Sequence, residues 1–329
     1  MNILITGGAG FIGLSLAKKL SRNKKNKVYI IDIIEKKNFD KELKFFLKKN
    51  KNVFYKKIDL LNINKKLKIK DFQYIIHLAA QLGVENVISN PEKVMKFNIL
   101  STLEIIKFSK IQKRFKKLCF ASTSEVYAHT VKRNNKLIPT EENVPILLMS
   151  DFSSRDSYLT SKFYGEMMIK YSNLPYVIFR PHNIYGPRMG TKHVIPQLIK
   201  RMYQVTNEIK VYSPNHTRSF CYIDDAVKMM IKTIKSNNKN ETFNIGNHSD
   251  EIKIFDLAKK IKKKISKKFI LMNGEAHLGS PIRRVPSMKK YFRIYGKLQY
   301  TSLEIGLKKT LNWYKKFYKL NENINTTNR

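Results

Sequence analysis

The chain has 329 residues, 42% of them hydrophobic, which is enough to bury a sizeable core and excludes a disordered chain. Lys and Arg number 64 against 25 Asp and Glu, a formal net charge of +39. The lysines are nevertheless scattered, at Lys18-Lys19, Lys48-Lys49, Lys116-Lys117 and Lys262-Lys263-Lys264, with no basic stripe interleaved with aromatics, so no specific nucleic-acid partner is expected.

In chain order, Asn2–Thr6 reads as a short buried strand. Phe11 to Leu20 has apolar residues at helical spacing and ends in a polar turn from Ser21 to Lys27. Val28–Asp32 is a second strand, Val53–Ile58 a third, and Tyr74–Ala80 a fourth. Pro91, tolerated in a first helical turn, opens a helix to about Lys110. Leu118–Ser122 is a fifth strand. A helix from about Tyr158 to Ser172 precedes a strand at Tyr176–Arg180. Strands alternating with helices imply an α/β fold, a doubly wound parallel Rossmann-type sheet covered on both faces, with ligands beyond the strands' carboxyl ends.

After Pro181 the rhythm breaks into shorter segments rich in Pro, Gly and Asn, such as Tyr185–Arg188, Ser213–Asn215 and Gly274–Pro286. The expected organisation is a dinucleotide-binding domain over 1–180 and a smaller substrate lobe over 181–320, with chain returning to the sheet around Thr217–Gly246. Tyr300–Tyr318 reads as a last amphipathic helix, and 321–329 as a polar tail. Apolar runs are far shorter than the ~20 residues that span a bilayer, and Met1-Asn2 leads directly into a strand, so a cytoplasmic protein with no membrane partner is expected. Cys119 and Cys221 lie outside any CxxC pair or His cluster, so no disulfide scaffold and no metal are expected.

Thr6-Gly7-Gly8-Ala9-Gly10-Phe11-Ile12-Gly13 lies between the first strand and the first helix. Glycines there let the backbone turn tightly against a pyrophosphate, which the helix N-terminus then binds. Asp32 ends the next strand, where it can accept bonds from both ribose hydroxyls and repel a 2′-phosphate. The cofactor expected is NAD, not NADP, with Gly7, Gly10, Phe11, Ile12, Gly13 and Asp32 as contacts. Farther on, Tyr158-Leu159-Thr160-Ser161-Lys162 puts a phenol and an ammonium on one helix face. A nearby ammonium and a positive nicotinamide would lower the phenol's pKa toward the operating range.

These motifs, together with Asp59-Leu60, His77-Leu78-Ala79-Ala80, Ser122-Thr123-Ser124-Glu125-Val126-Tyr127 and Arg180-Pro181-His182-Asn183, stand in the order found in extended short-chain dehydrogenases/reductases. The chain resembles that family's nucleotide-sugar epimerases, 4,6-dehydratases and UDP-glucuronate decarboxylases from Asn2 to about Tyr314. The resemblance implies a catalytic set of Thr123, Tyr158, Lys162 and Glu125. It places Asp59, Leu60, Ala79, Ala80 and Asn98 at the cofactor, and Asn183, Arg218 and Arg283 or Arg284 at the diphosphate of a nucleotide-sugar substrate. A guanidinium fork suits paired phosphate oxygens. It also implies a homodimer, and a reaction in which Tyr158 takes the proton of the sugar C4 hydroxyl while NAD accepts hydride.

The fate of the 4-keto sugar divides the family. The first expectation is a UDP-sugar 4-epimerase. Ser124-Glu125 keeps a decarboxylase or 4,6-dehydratase open, because those branches commonly carry this glutamate and epimerases often lack it. Ala128, in place of the usual glycine, and the loop residues Gln81 and Gly83 depart from the family pattern. A basic nucleic-acid-binding protein and a non-catalytic NAD sensor are the readings from other classes, and intact Thr123, Tyr158 and Lys162 argue against the sensor.

Overall fold

A computed structural model describes residues 1–69, 71–205, 207–265, 267–276 and 281–326. The chain forms two compact units. The first comprises Met1–Thr130, Glu142–Pro181 and Val227–Ile245, and the second comprises Val131–Glu141, His182–Ala226 and Gly246–Arg329. Residues 131–141, expected in the dinucleotide-binding domain, thus belong to the second unit.

In the first unit β1 (Asn2–Thr6), β2 (Lys27–Asp32), β3 (Val53–Lys57), β4 (Tyr74–His77), β5 (Lys117–Ala121) and β6 (Tyr176–Pro181) join the strand Glu241–Ile245 in one sheet. Its seven strands run in the order Glu241–Ile245, β6, β5, β4, β1, β2, β3, every pair parallel. The central strands are apolar on both faces, because helices cover both, and Ile3, Leu4, Ile75, Ile76, Leu118 and Phe120 are almost wholly buried. Burying each such side chain contributes about 1.5–3 kcal/mol.

Helices form where sequence supplies both a start and an apolar stripe. Pro91 opens the helix Pro91–Lys110, which buries Val94, Ile105 and Phe108. Asp40 caps Lys41–Lys49, its carboxylate accepting the Leu43 N–H at 2.8 Å. Lys117, at the start of β5, is buried. Its ammonium donates to the carbonyls of Thr233 (3.0 Å), Ile234 (3.3 Å) and Ser236 (2.8 Å) at the end of the helix Ile223–Lys235. That supplies a donor to acceptors at a helix C-terminus and favours its dipole.

Three sequence expectations need correction. The fourth strand ends at His77, and Leu78–Ala80 form the loop that follows it. Of the chain around Thr217–Gly246, only Glu241–Ile245 enters the large sheet. Thr217–Ser219 instead pairs antiparallel with Glu251–Lys253 and parallel with Arg283–Arg284 in a small sheet of the second unit. The last helix spans Leu303–Thr326, so the expected polar tail is helical to 326, and 327–329, like 277–280 of the Gly274–Pro286 stretch, fall outside the described residues. A polar composition does not itself end a helix when no Pro or Gly interrupts it.

The second unit also pairs Glu208–Val211 with Ile270–Asn273 and Ile184–Tyr185 with Cys221–Tyr222, and packs the helices Val194–Gln204 and Ile254–Lys262. No helix among the described residues is long and apolar enough to cross a membrane.

Candidate active site

Strand order reverses at β1: β2 and β3 lie to one side, β4, β5 and β6 to the other. A crevice therefore opens beyond the carboxyl ends of β1 and β4, the place where sheets of this kind bind ligands. Gly7 sits there with φ +65°, in the left-handed region, and a Cβ on it would lie 2.8 Å from the Ala79 nitrogen. A Cβ on Gly13 would lie 2.3 Å from the Gly7 carbonyl oxygen. The loop, the first turn of the helix Phe11–Leu20 and the loop after β4 are thus packed backbone to backbone. Gly10 is the helix N-cap and offers no side chain to the first-turn N–H groups, which remain donors for an anion. Phe11 and Ile12 are half-buried in that turn, as are Ala79 and Ala80 beyond β4.

Asp32 ends β2 with one carboxylate oxygen accepting the Ala9 N–H (3.1 Å) and the other accepting the Ile33 N–H (2.8 Å). Its orientation is therefore set by the glycine loop itself. Asp59 accepts the Leu61 N–H at 3.1 Å and starts a short turn that buries Leu60. A glycine cradle that a Cβ would fill, an uncapped helix N-terminus and a carboxylate at the next strand end fit the diphosphate and ribose of NAD.

A buried polar chain runs from this crevice toward the helix Asp156–Lys170. Thr6 Oγ1 meets His77 Nδ1 at 2.8 Å and accepts the Ala79 N–H at 3.3 Å. The Thr102 hydroxyl donates to the Asn98 carbonyl (2.7 Å), so His77 Nε2 donates to Thr102 (3.3 Å), and the imidazole is the neutral Nε2–H tautomer. Burial first, and Lys162 second, push its pKa down to about 3, in keeping with that neutral form. Asn98 accepts the Gln81 N–H (2.8 Å) and donates to the Gln81 carbonyl and the Ser161 hydroxyl, both at 3.1 Å. Asn98 thus holds the loop after β4 against the helix Asp156–Lys170.

That helix carries Tyr158 and Lys162. Asp156, its first residue, is buried and accepts from Ser153 N–H (2.8 Å) and hydroxyl (2.7 Å), and meets His129 Nε2 at 2.5 Å. Lys162 is buried, donates to the Ala121 carbonyl at 2.6 Å and lies 4.7 Å from the centre of the Phe120 ring. Burial lowers its pKa to about 7, with Glu166 acting the other way. Thr123 accepts the Glu125 N–H at 3.1 Å, which turns its own proton toward Tyr158, to whose phenol it is hydrogen-bonded.

The lowered phenol pKa expected from sequence is not found in the protein alone. Burial, followed by the Glu125 carboxylate, pushes Tyr158 well above its ordinary range, and only the Thr123 hydrogen bond opposes them. The physical reason is that burial disfavours the phenolate, and the charge that acts on the phenol, Glu125, is negative.

Sequence reasoning passed over His77, Ser161 and the buried pair Glu166–Arg180 as site residues. His77 was visible within its motif, and Glu166 lies four residues beyond Lys162. Nothing in the sequence, however, indicates that Arg180 closes on Glu166 with two bonds of 2.9 and 2.6 Å.

The substrate candidates lie in the second unit. Asn183 adopts φ 42° and donates to the Ser219 carbonyl at 3.1 Å. Arg218 is buried and donates to the carbonyls of Thr217 (2.7 Å) and Ile282 (3.1 Å), which orients its fork. Arg283 forms a two-bond pair with Glu251 at 2.8 and 2.9 Å, and Arg284 is half-buried on the same strand. Among the described residues no group of three or more His, Cys, Asp or Glu could hold a metal ion.

A parallel sheet with a glycine-lined dinucleotide crevice, and a Thr, Tyr and Lys set at the ends of β5 and its neighbouring helix, defines an NAD-dependent enzyme of Rossmann fold. Residues 3–246 match the model of the NAD-dependent epimerase/dehydratase family, and the chain belongs to that family. NAD is its cofactor. A Methanocaldococcus jannaschii protein provisionally named a UDP-glucose 4-epimerase is 31% identical over 324 residues, covering 95% of this chain and 98% of that one. The UDP-N-acetyl-α-D-glucosaminuronate decarboxylase of Bacillus cytotoxicus is 30% identical over 326 residues, covering 95% and 97%. The solved UDP-glucose 4-epimerase of Thermotoga maritima with UDP-glucose superposes with a TM-score of 0.80 at 27% identity, covering 97% of this chain and all of that one.

Proposed function

We propose that this enzyme is a UDP-sugar 4-epimerase serving the synthesis of glycan precursors. The observation that carries the reading is the hydrogen-bonded pair Thr123–Tyr158, beside Lys162 and on the rim of the dinucleotide crevice. It is supported by the full-length likeness to UDP-glucose 4-epimerases. When bound, NAD supplies the acceptor and donor of hydride. The chain supplies positioning and proton transfer. Thr123 orients the C4 hydroxyl of the sugar, and Tyr158 takes and returns its proton. Lys162, held by the Ala121 carbonyl, would hold the ribose of the cofactor. Arg218, Arg284 and Asn183 are the groups proposed to hold the nucleotide diphosphate, and Arg283 does so only if it leaves Glu251. A homodimer working in the cytoplasm completes the proposal, and light scattering of the purified protein tests the dimer.

Glu125 favours a second reading, a decarboxylase or 4,6-dehydratase. It is half-buried and close enough to act on the Tyr158 phenol, where epimerisation at C4 has no task for a carboxylate. Incubation with a panel of UDP-, dTDP-, GDP- and CDP-sugars, read by mass and NMR, separates the branches: unchanged mass means epimerisation, loss of water dehydration, loss of CO₂ decarboxylation. In a 4-epimerase Glu125→Gln costs on the order of 1 kcal/mol or less in turnover, since only local hydrogen bonding changes. A Glu125→Gln enzyme that stalls with a 4-keto sugar overturns the first reading in favour of the second.

A further inference from the structure

We propose that Glu166 is a positioning residue of this reaction, the buried counter-charge that keeps Lys162 an ammonium, and that Arg180 holds Glu166 in place for that task. The proposal rests on the reading that Tyr158 and Lys162 form the catalytic pair.

Glu166 lies four residues beyond Lys162 on the helix Asp156–Lys170, so the two share a helix face. It is fully buried. A lone carboxylate there would be driven to its neutral form by desolvation. Arg180, itself buried on β6, closes on it with both arms of its fork, Nε to one oxygen and Nη2 to the other. The other arm of that guanidinium is held in turn. Nη1 donates to the Tyr127 hydroxyl at 2.7 Å and to the Glu142 carbonyl at 3.0 Å, and Tyr127 donates onward to Asn244 at 3.0 Å. Every one of these groups belongs to the first unit.

Among the described residues, the charged and titratable groups tied to Lys162 are Glu166 on its own helix, with Arg180 of β6 bound to it, and His77 on β4, which is neutral. β5 presents the Ala121 carbonyl and the Phe120 ring. Glu125, on the turn after β5, acts on Tyr158. Glu166 is therefore the anion that opposes the desolvation of Lys162. A pair of opposite charges buried behind the catalytic ammonium is otherwise hard to justify, because well-packed apolar residues in its place are often neutral or stabilising.

The test follows the titration of Lys162 by NMR in protein labelled at lysine Cε, with and without NAD. The Lys162 signal is identified by its loss in Lys162→Met. Glu166→Gln alone leaves the Arg180 guanidinium buried without a counter-ion and is expected to fold poorly, so the deciding variant is Glu166→Gln/Arg180→Met, which removes both charges. In it the midpoint of Lys162 falls, because Glu166 acts on Lys162 directly whereas Arg180 acts on it through Glu166. Arg180→Lys, which leaves Glu166 a cation, keeps the midpoint near that of the wild type. A midpoint in the double variant equal to or above the wild-type value overturns the proposal. Tyr158→Phe assayed on the sugar panel reports separately: full turnover there refutes the catalytic assignment and leaves the lysine titration unaffected.

Discussion

Replacing Lys162 with Met should make the NAD-free protein more stable while abolishing its turnover. In the folded chain burial lowers the amine from an ordinary 10.5 to about 7. That difference corresponds to about 5 kcal/mol of penalty against the charged form, at 1.36 kcal/mol per pH unit. The sign follows from linkage. Below pH 7 the folded and unfolded chains both carry the proton, and the whole penalty opposes folding. Between about 7 and 10.5 the unfolded chain binds more protons than the folded one, so stability rises with pH until the penalty is gone. Met fills similar space without charge. It forfeits the bond to the Ala121 carbonyl, worth about 1.5–3 kcal/mol. The net gain at or below neutral pH is about 2–3 kcal/mol, which raises Tm by about 3–4 °C for a chain of 329 residues. Thermal denaturation at a series of pH values reads it directly. A Lys162→Met protein less stable than wild type at neutral pH, or a gain that fails to shrink toward pH 10.5, refutes the reasoning.

Gly13→Ala should lose NAD binding and about 3 kcal/mol of stability, because its Cβ would meet the Gly7 carbonyl oxygen at 2.3 Å in a loop with no room to move. Calorimetric titration with NAD checks this, and wild-type affinity would contradict the packing argument. Asp32→Ala should narrow the preference for NAD over NADP by removing a fixed negative charge, and an unchanged ratio of the two affinities counts against Asp32 as the discriminating group. Tyr158→Phe should keep the fold and NAD binding but lower turnover by about 10²–10⁴-fold, the usual worth of a placed proton-transfer group. The scattered lysines predict weak polyanion binding that disappears once salt screens charges beyond about 8 Å, and tight sequence-specific DNA binding in such salt would contradict it.

Most of the first unit was legible because its signals are local. An apolar run with β-branched residues marks a central parallel strand, and Pro91 marks the start of its helix. The dinucleotide loop was legible for the same reason: its glycines answer to contacts within a few residues. What escaped was non-local. Glu241–Ile245 enters the sheet beside β6, more than sixty residues away in sequence, and no local pattern separates it from the small strands of the second unit. The Glu166–Arg180 pair and the chain from Thr6 through His77 to Asn98 likewise join elements whose partners tertiary packing alone selects. The ionisation of Tyr158 was misjudged for a related reason. Spacing on a helix shows that Lys162 can approach the phenol, but not how deeply the phenol is buried or that the Glu125 carboxylate acts on it.

The three carbonyls gathered by Lys117 bear on how this molecule opens. Amine-acylating reagents should modify the abundant surface lysines within the folded protein and leave Lys117 and Lys162 intact, since neither amine can be approached while the sheet is closed. Lys117 becomes reactive only when β5 and the end of the helix Ile223–Lys235 separate, and Lys162 only when the helix Asp156–Lys170 lifts from β5. The order in which the two acquire label over time would therefore rank the local opening energies at the two ends of β5, using nothing but the chain's own lysines as reporters.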